Sequence, residues 1–151
     1  MAIEYFQIKE KDFDLVEQVL DIEGDTYEDS GLDIFDLIAM LRHGRVYVAV
    51  EKENVIGVVY FMRSFDDTTK AFLQSINIVD PGEYPNLAKS LLEVTFADMQ
   101  SFGIKTVEVS CDPSNFRALK IYREELGFVA SDSLQSDLLD GEELLMLQKD
   151  L

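Results

Sequence analysis

A short stretch near the C-terminal end of the sequence combines a helix-capping amide, a small side chain and a phenol. Asn115, Ala118 and Tyr122 follow one another at intervals of three and four residues. Residues four apart lie on one face of a helix, so Ala118 leaves room beside Tyr122 for a backbone or a slim ligand. A phenol beside such a slot can donate a proton to a leaving group. The same spacing also fits a structural role, with Asn115 as a helix cap and Tyr122 as an aromatic at the core edge.

A second candidate for chemistry is Glu108, which stands between two β-branched residues in a predicted strand. Strand alternation places Glu108 on the face opposite to Val107 and Val109. A carboxyl group held partly out of water can act as a general base toward an amine. The alternative is a structural glutamate with no part in a reaction.

Charge is the third chemical signal. The chain carries 13 Lys and Arg against 30 Asp and Glu, a net charge of −17. Ten carboxylates without an intervening Lys or Arg lie between Asp12 and Asp36. This balance argues against binding to DNA or RNA and to anionic membranes, and it favours cationic partners. The acidic block either attracts a cationic amine or forms a solvated, solubilising surface.

Several function classes are excluded by composition. Cys111 and His43 are the single cysteine and the single histidine, which rules out the usual zinc clusters, and we expect no metal. With a lone cysteine, no signal peptide and no apolar run long enough to span a membrane, the chain is expected to be cytoplasmic. Length and the absence of linkers or repeats predict a single domain over residues 1–151.

The elements that must position these residues follow from apolar periodicity. The spacings predict the order β-α-α-β-β-β-α-β-α-β-β, an α/β or α+β sheet domain. The first helix is expected at 12–22, followed by an acidic loop at 24–31. Asp33 and Asp36 predict a capping box for the second helix, and Gly44 predicts its end. The predicted strands span residues 3–8, 46–50, 55–62, 72–79, 104–111 and 143–148, and one more begins at residue 127. Two further helices are predicted: a long one that ends before residue 103 and one that begins at residue 116.

The stretch from Asn115 to Phe128 resembles the C-terminal acyl-CoA motif of the GNAT N-acetyltransferase superfamily. That motif reads Asn, two residues, Ala, three residues, Tyr and then Gly-Phe, and it is matched by Asn115, Ala118, Tyr122, Gly127 and Phe128. The predicted element order is also similar over nearly the whole chain. The resemblance implies a mixed, mostly antiparallel sheet of about seven strands flanked by about four helices. Four residues separate the tyrosine from the glycine here, where the family usually has three, which predicts a bulge at the helix end.

The resemblance also implies roles. Acetyl-CoA would be the acyl donor, Tyr122 would protonate the departing thiolate, and Glu108 would deprotonate the acceptor amine, directly or through water. Backbone N–H groups of Ile78 and Val79 would polarise the thioester carbonyl. The acceptor, a primary amine of a small molecule or peptide, would meet a wall formed by Tyr27, Glu28, Asp29 and Tyr47.

The expected pyrophosphate loop departs from the family pattern. Its matching positions are Glu83, Asn86 and Ala88, of which only Ala88 fits. The carboxylate of Glu83 and the missing N–H of Pro85 both oppose a polyphosphate anion. The positions that would contact CoA are Ile78, Val79, Asn86, Leu87, Ala88, Lys89, Ser90 and Asn115.

Three hypotheses therefore remain open at the level of sequence. The chain is an acetyl-CoA-dependent N-acetyltransferase, a binding or regulatory protein of the same fold that has lost productive use of CoA, or an unrelated acidic interaction domain. The sequence does not fix the oligomeric state and allows a homodimer.

Overall fold

The computed structural model describes residues 2–27, 32–135 and 143–151. Within them, runs rich in valine, isoleucine and aromatic residues form strands, because such side chains pack well on a pleated surface. The strands are β1 Glu4–Ile8, β2 Arg45–Glu51, β3 Asn54–Arg63, β4 Lys70–Ile78, β5 Thr106–Cys111, β6 Val129–Gln135 and β7 Glu143–Asp150.

Backbone hydrogen bonds join these strands into a 7-stranded sheet in the order β1-β2-β3-β4-β5-β7-β6. Strands β4 and β5 are parallel, with Phe72 opposite Glu108. The pairs β1–β2, β2–β3, β5–β7 and β6–β7 are antiparallel. The predicted mixed, mostly antiparallel sheet is therefore confirmed.

Amphipathic segments form the helices α1 Phe13–Tyr27, α2 Ile34–His43, α3 Leu87–Ser101 and α4 Phe116–Leu119. Helix α4 continues directly into a π-helical segment, Lys120–Glu125. The capping box predicted for α2 is present: Asp36 N–H donates to Asp33 Oδ1 (3.0 Å), and Asp33 N–H donates to Asp36 Oδ2 (3.3 Å). Gly44 ends this helix as predicted, and its N–H donates to Met40 O.

Helix α1 is longer than its sequence pattern predicted. The expected end at Ile22 is wrong, because the helix continues through Gly24 and Asp25 to Tyr27. The reason lies at Glu23, which extends the buried row of Val19 and is itself only 2% exposed. A glycine inside a helix costs about 1 kcal/mol relative to alanine, which such packing readily offsets.

The described residues fall into two compact units. The first comprises residues 1–62 and 75–95. Its core contains buried side chains from β1, α1, α2, β2 and β3, among them Val19, Leu37, Val48 and Tyr60. Every residue from Val46 to Val50 is buried, so β2 is covered on both faces.

The second unit comprises residues 63–74 and 96–151. It contains β5, β6, β7, α4 and the π-helical segment. Its aromatic core includes Phe128, whose ring centroid lies 6.0 Å from that of Phe96 and 5.5 Å from that of Tyr122. None of the described helices is long and apolar enough to cross a membrane.

Candidate functional site

Tyr122 lies in the π-helical segment and is anchored twice by Phe128. The two rings are tilted by 58°, and Phe128 N–H donates to Tyr122 O at 2.8 Å. Gly127 between them has φ of 78°, the left-handed conformation that commonly ends a helix at glycine. Tyr122 is 6% exposed, so its side chain is packed in the core of the second unit.

The extra residue between Tyr122 and Gly127 is accommodated by the π-helical segment, whose turn is wider than that of an α-helix. Leu126 N–H donates to Ile121 O at 3.0 Å, five residues back, where an α-helix would use four. The hydrogen bond that closes the helix end likewise reaches six residues back to Tyr122, instead of the usual five. The bulge predicted from the sequence is therefore present, and it preserves the contact between Tyr122 and Phe128.

Asn115 caps helix α4. Its side-chain Oδ1 accepts a hydrogen bond from Ala118 N–H at 3.1 Å, and its carbonyl accepts one from Leu119 N–H at 3.0 Å. The preceding turn is held by Asp112, whose Oδ1 accepts from the N–H and the hydroxyl of Ser114, both at 2.8 Å. These bonds lower the pKa of Asp112, the backbone bond most strongly. The structural role of Asn115 is thus shown, and its contact with CoA remains a prediction.

Glu108 lies on β5 on the face opposite to the buried Val107 and Val109, as alternation predicted. Its carboxylate forms an ion pair with Lys70 Nζ at 3.5 Å, and its side chain is 26% exposed. Lys70 begins β4 and is brought beside β5 by the parallel pairing of the two strands. A partly exposed carboxylate that keeps contact with water can accept a proton, directly or through that water.

Sequence reasoning missed Lys70. Its partner lies 38 positions later in the chain. Only the parallel β4–β5 pairing brings the two groups together, and no local pattern signals it. The pair places an ammonium group beside the carboxylate of Glu108.

The start of α3 and the end of β4 pack together over Gly57 of β3. A side-chain carbon at position 57 would lie 3.0 Å from Ile78 Cδ1 and 3.4 Å from the Cδ2 atoms of Leu87 and Leu91. The absence of a side chain at Gly57 therefore allows this close approach. Leu87 is 4% exposed, so its side chain belongs to the core. Its backbone N–H donates to Tyr84 O at 3.2 Å, and its predicted contact with CoA stays a prediction.

The amides at the end of β4 are not equivalent. Val79 N–H donates to Ile56 O at 3.0 Å, so this amide is already engaged by β3. Successive N–H groups of a strand point to opposite edges, and Ile78 N–H is therefore directed away from β3. Ile78 N–H is thus the better-placed candidate donor, and the contacts of Ile78 and Val79 with a thioester carbonyl stay predictions.

The loop between β4 and α3 is organised by its own carboxylate. Asp80 Oδ1 accepts from Gly82 N–H and Glu83 N–H, both at 3.1 Å. Tyr84 N–H donates to Asp80 O, and Tyr84 hydroxyl donates to Glu51 Oε1 at 2.7 Å. This last bond is the main cause that raises the pKa of Tyr84 to about 12.

The N-terminus of α3 retains open amides. Ser90 N–H makes the first hydrogen bond of the helix, to Asn86 O at 3.1 Å. The N–H groups of Ala88 and Lys89 precede it and have no acceptor within the helix. Lys89 Nζ lies 3.8 Å from Glu93. Two amides at a positive helix end and one lysine thus remain where the sequence predicted phosphate contacts.

Of the four residues predicted to contact the acceptor, the structure describes the side chain of Tyr47 alone. Glu28 and Asp29 lie outside the described residues, as does the side chain of Tyr27, the last residue of α1. Tyr47 lies on β2 and is 4% exposed. Its ring meets Phe61 edge-on at 6.0 Å. Its contact with an acceptor stays a prediction.

The acidic block is ordered on α1. Asp14, Glu17, Asp21 and Asp25 are exposed and are spaced by three or four residues, which places them along one side of the helix. No lysine or arginine occurs in α1. A carboxylate stripe of this kind produces a negative potential over the helix surface.

Glu23 is a further polar residue that sequence reasoning assigned only to the acidic block. It is buried, and Tyr60 hydroxyl donates to its Oε1 at 2.6 Å. Tyr60 itself is fully buried. The signal was present in the spacing, because Glu23 follows Val16 and Val19 on the inner side of α1.

Cys111 is buried at the end of β5, as expected for a small core residue. Burial, with a smaller effect of Asp112, raises the pKa of its thiol. Among residues 2–27, 32–135 and 143–151, no cluster of His, Cys, Asp and Glu has the arrangement of a metal site.

Comparisons with known proteins identify the family and the fold. The sequence model of the acetyltransferase (GNAT) family matches residues 13–128. No curated protein sequence matches the chain.

Solved structures with the same fold include the ribosomal-protein-S18-alanine N-acetyltransferase from Escherichia coli, with TM-score 0.80, 15% identity and coverage of 99% of this chain and 94% of that chain. Ard1 from Thermoplasma volcanium has TM-score 0.81 and 15% identity, covering 100% and 99% of the two chains. A chain of the NatC complex bound to Gag peptide and CoA has TM-score 0.81 and 16% identity, with the same coverage. At these identities the likeness shows the fold.

Proposed function

Because the chain belongs to the acetyltransferase (GNAT) family, we propose that it transfers an acetyl group from acetyl-CoA to the primary amine of a cationic peptide or small molecule. The observation that carries this proposal is the preserved helix end around Tyr122. The wide turn keeps the tyrosine packed on Phe128 despite the additional residue, and Asn115 still begins the helix.

Glu108 supplies the base. An ammonium group cannot attack a carbonyl, so one proton must leave the acceptor nitrogen before or during attack. The carboxylate of Glu108 accepts this proton, directly or through water, while Lys70 keeps the carboxylate in place.

Tyr122 supplies the acid. When the acceptor nitrogen forms its bond to the thioester carbon and the carbon–sulfur bond breaks, the phenol donates its proton to the sulfur. The second proton that the nitrogen loses as the amide forms restores the phenol. The backbone N–H of Ile78 stabilises the negative charge that develops on the carbonyl oxygen. Holding donor and acceptor together contributes a large further part of the acceleration.

The phosphates of CoA would be held by the open amides of Ala88 and Lys89 and by the ammonium group of Lys89. Glu83 opposes them with its exposed carboxylate. The loop therefore offers fewer favourable groups than the family pattern, and we expect correspondingly modest affinity for CoA.

The acceptor class follows from the charge of α1. Four exposed carboxylates along one side of the helix favour a cationic amine over a neutral or acidic one. The names of two proteins of the same fold support a peptide acceptor and the CoA donor, since one acts on a ribosomal protein and another was solved with a peptide and CoA.

The test has two steps. Addition of acetyl-CoA should raise the melting temperature, since a ligand that binds only the folded state stabilises it. Thiol release should then be followed with a panel of amines and peptides at low and high salt. The only thiol of the protein is buried, which keeps the background low.

The variant Tyr122→Phe keeps the ring and removes the proton. It should lower turnover by roughly 10²–10⁴-fold with little loss of stability, whereas the control Tyr5→Phe on β1 should leave the rate unchanged. Equal rates for Tyr122→Phe and the parent would exclude Tyr122 as the acid. Stabilisation by acetyl-CoA without turnover of any amine would instead indicate a binding protein of this fold.

A further inference from the structure

Helix α2 carries apolar side chains on two of its faces. Leu37, Met40 and Leu41 are buried against the core of the first unit. On the other side, Phe35 is 79% exposed, Ile34 41% and Ile38 37%. A surface helix of a soluble protein normally presents polar residues on the side away from the core. The outer face of α2 is therefore unlike an ordinary solvated helix face.

The exposed side chains form a continuous surface. Ile34 and Ile38 lie one turn apart in one row, and Phe35 and the exposed Ala39 lie in the adjacent row. We call these four residues the outer α2 face. Contiguous exposed apolar side chains of this kind mark interaction sites more often than isolated ones do.

The outer α2 face is also held rigidly. The capping box of Asp33 and Asp36 fixes the first turn of α2. At the last turn, Gly44 N–H donates to Met40 O and ends the helix. A side chain at position 44 would lie 2.5 Å from Phe61 O, so the helix end packs directly on β3. A preformed surface binds a partner without the cost of ordering the helix.

The charges around this face select its partner. Asp33 and Asp36 are exposed at the first turn. Arg42 at the last turn forms an exposed ion pair with Glu10, which offsets its charge. An apolar face among carboxylates is complementary to a segment that presents large apolar side chains between lysines and arginines.

A second copy of the chain fits this face poorly. Each copy carries a net charge of −17. A symmetric contact through α2 would place the same carboxylates of both copies near one another. Like charges brought together across an interface oppose association.

We propose that the outer α2 face docks a cationic amphipathic segment of the polypeptide acceptor, at a distance in sequence from the amine that reacts. This inference rests on the proposed acetyltransferase function and names the acceptor class as a basic polypeptide. The apolar side chains of the segment contact Phe35, Ile34 and Ile38, and its lysines or arginines meet the carboxylates of Asp33 and Asp36.

Direct binding tests the surface without any reaction. The probe is a fluorescein-labelled synthetic amphipathic peptide of lysine and leucine, acetylated at its N-terminus so that its α-amine cannot react. Fluorescence anisotropy should show binding that weakens as salt rises. Matched peptides with glutamate in place of lysine, or serine in place of leucine, should not bind.

Two protein variants distinguish binding at the outer α2 face from non-specific binding to exposed apolar side chains. Phe35→Ser should weaken peptide binding roughly tenfold or more, as expected when a buried aromatic contact is lost. Phe65→Ser is the control, because Phe65 is fully exposed and lies in the loop between β3 and β4. Equal effects of the two substitutions, or equal binding of the glutamate peptide, would refute the proposal. A concentration-dependent dimer abolished by Phe35→Ser would also refute it by assigning the face to a second copy.

Kinetics connect the surface to the reaction. With a basic polypeptide acceptor, Phe35→Ser should raise KM roughly tenfold and leave kcat unchanged, and with a small amine it should change neither. Acetylation with an unchanged KM would refute docking and leave the proposed function intact. Peptide binding that depends on Phe35, with no acetylation of any acceptor, would support the docking surface and refute the proposed function alone.

Discussion

The hydrogen bond between Tyr60 and Glu23 should be a large contributor to stability within the first unit. Both groups are buried, at 0% and 2% exposure, and the oxygen atoms lie 2.6 Å apart. Tyr60→Phe removes the donor and leaves a buried carboxyl oxygen without it. The cost of such a change is about 1–3 kcal/mol, because water cannot replace the lost donor in the core.

The magnitude can be converted to measurable shifts. For a chain of this size, about 2 kcal/mol corresponds to a decrease in melting temperature of roughly 4–8 °C. Urea unfolding should show a lower midpoint with an unchanged slope, since the surface exposed on unfolding stays the same. Glu23→Gln is the control, because its amide oxygen can still accept the hydrogen bond from the phenol of Tyr60. This variant should therefore lose less stability than Tyr60→Phe.

A double-mutant cycle measures the interaction between the two side chains directly. Tyr60→Phe combined with Glu23→Leu removes both polar groups, so the double variant should be more stable than the sum of the single losses predicts. A coupling of about 1–3 kcal/mol is expected for groups in direct contact. If the single losses simply add, or if Tyr60→Phe costs less than about 0.5 kcal/mol, the bond does not stabilise the fold in the way argued.

Two further predictions concern the loop that precedes α3. The pKa of Tyr84 is raised from 10.0 to about 12. The stability contributed by its neutral phenol is therefore complete below pH 10 and should be lost between pH 10 and 12. Tyr84→Phe should abolish this component of alkaline destabilisation, and identical pH profiles of parent and variant in thermal unfolding would contradict it. Glu83→Gln should tighten CoA binding several-fold at low salt by removing an opposing charge, and calorimetric titration that shows equal or weaker binding would place that side chain away from the phosphates.

Local signals in the sequence predicted local structure well. The capping box of α2, its glycine end and the hairpin of β2 and β3 each depend on a few neighbouring residues, and each is present. The bulge after Tyr122 was predictable because one additional residue in a helix must widen a turn or break it. The order of strands and helices along the chain also followed from the pattern of apolar runs.

Features that depend on distant residues were not predictable from periodicity. The ion pair of Glu108 with Lys70 needs the parallel pairing of β4 with β5. The spacing of Glu23 after Val19 indicates its inner position on α1, but the donor that pairs with it, Tyr60 of β3, becomes its neighbour only in the folded chain. The engagement of Val79 N–H by β3 depends on strand register, which no residue type reveals.

The wide turn after Tyr122 bears on how this chain should be aligned with others of its family. A π-helical turn absorbs one inserted residue within the helix, so the residues on both sides keep their places: the phenol before it and the glycine and phenylalanine after it. A gap in an alignment therefore belongs between Arg123 and Leu126, inside the turn, and the motif on either side should be matched without a shift. A single inserted residue at this position can thus be accommodated without separating the ring of Tyr122 from that of Phe128.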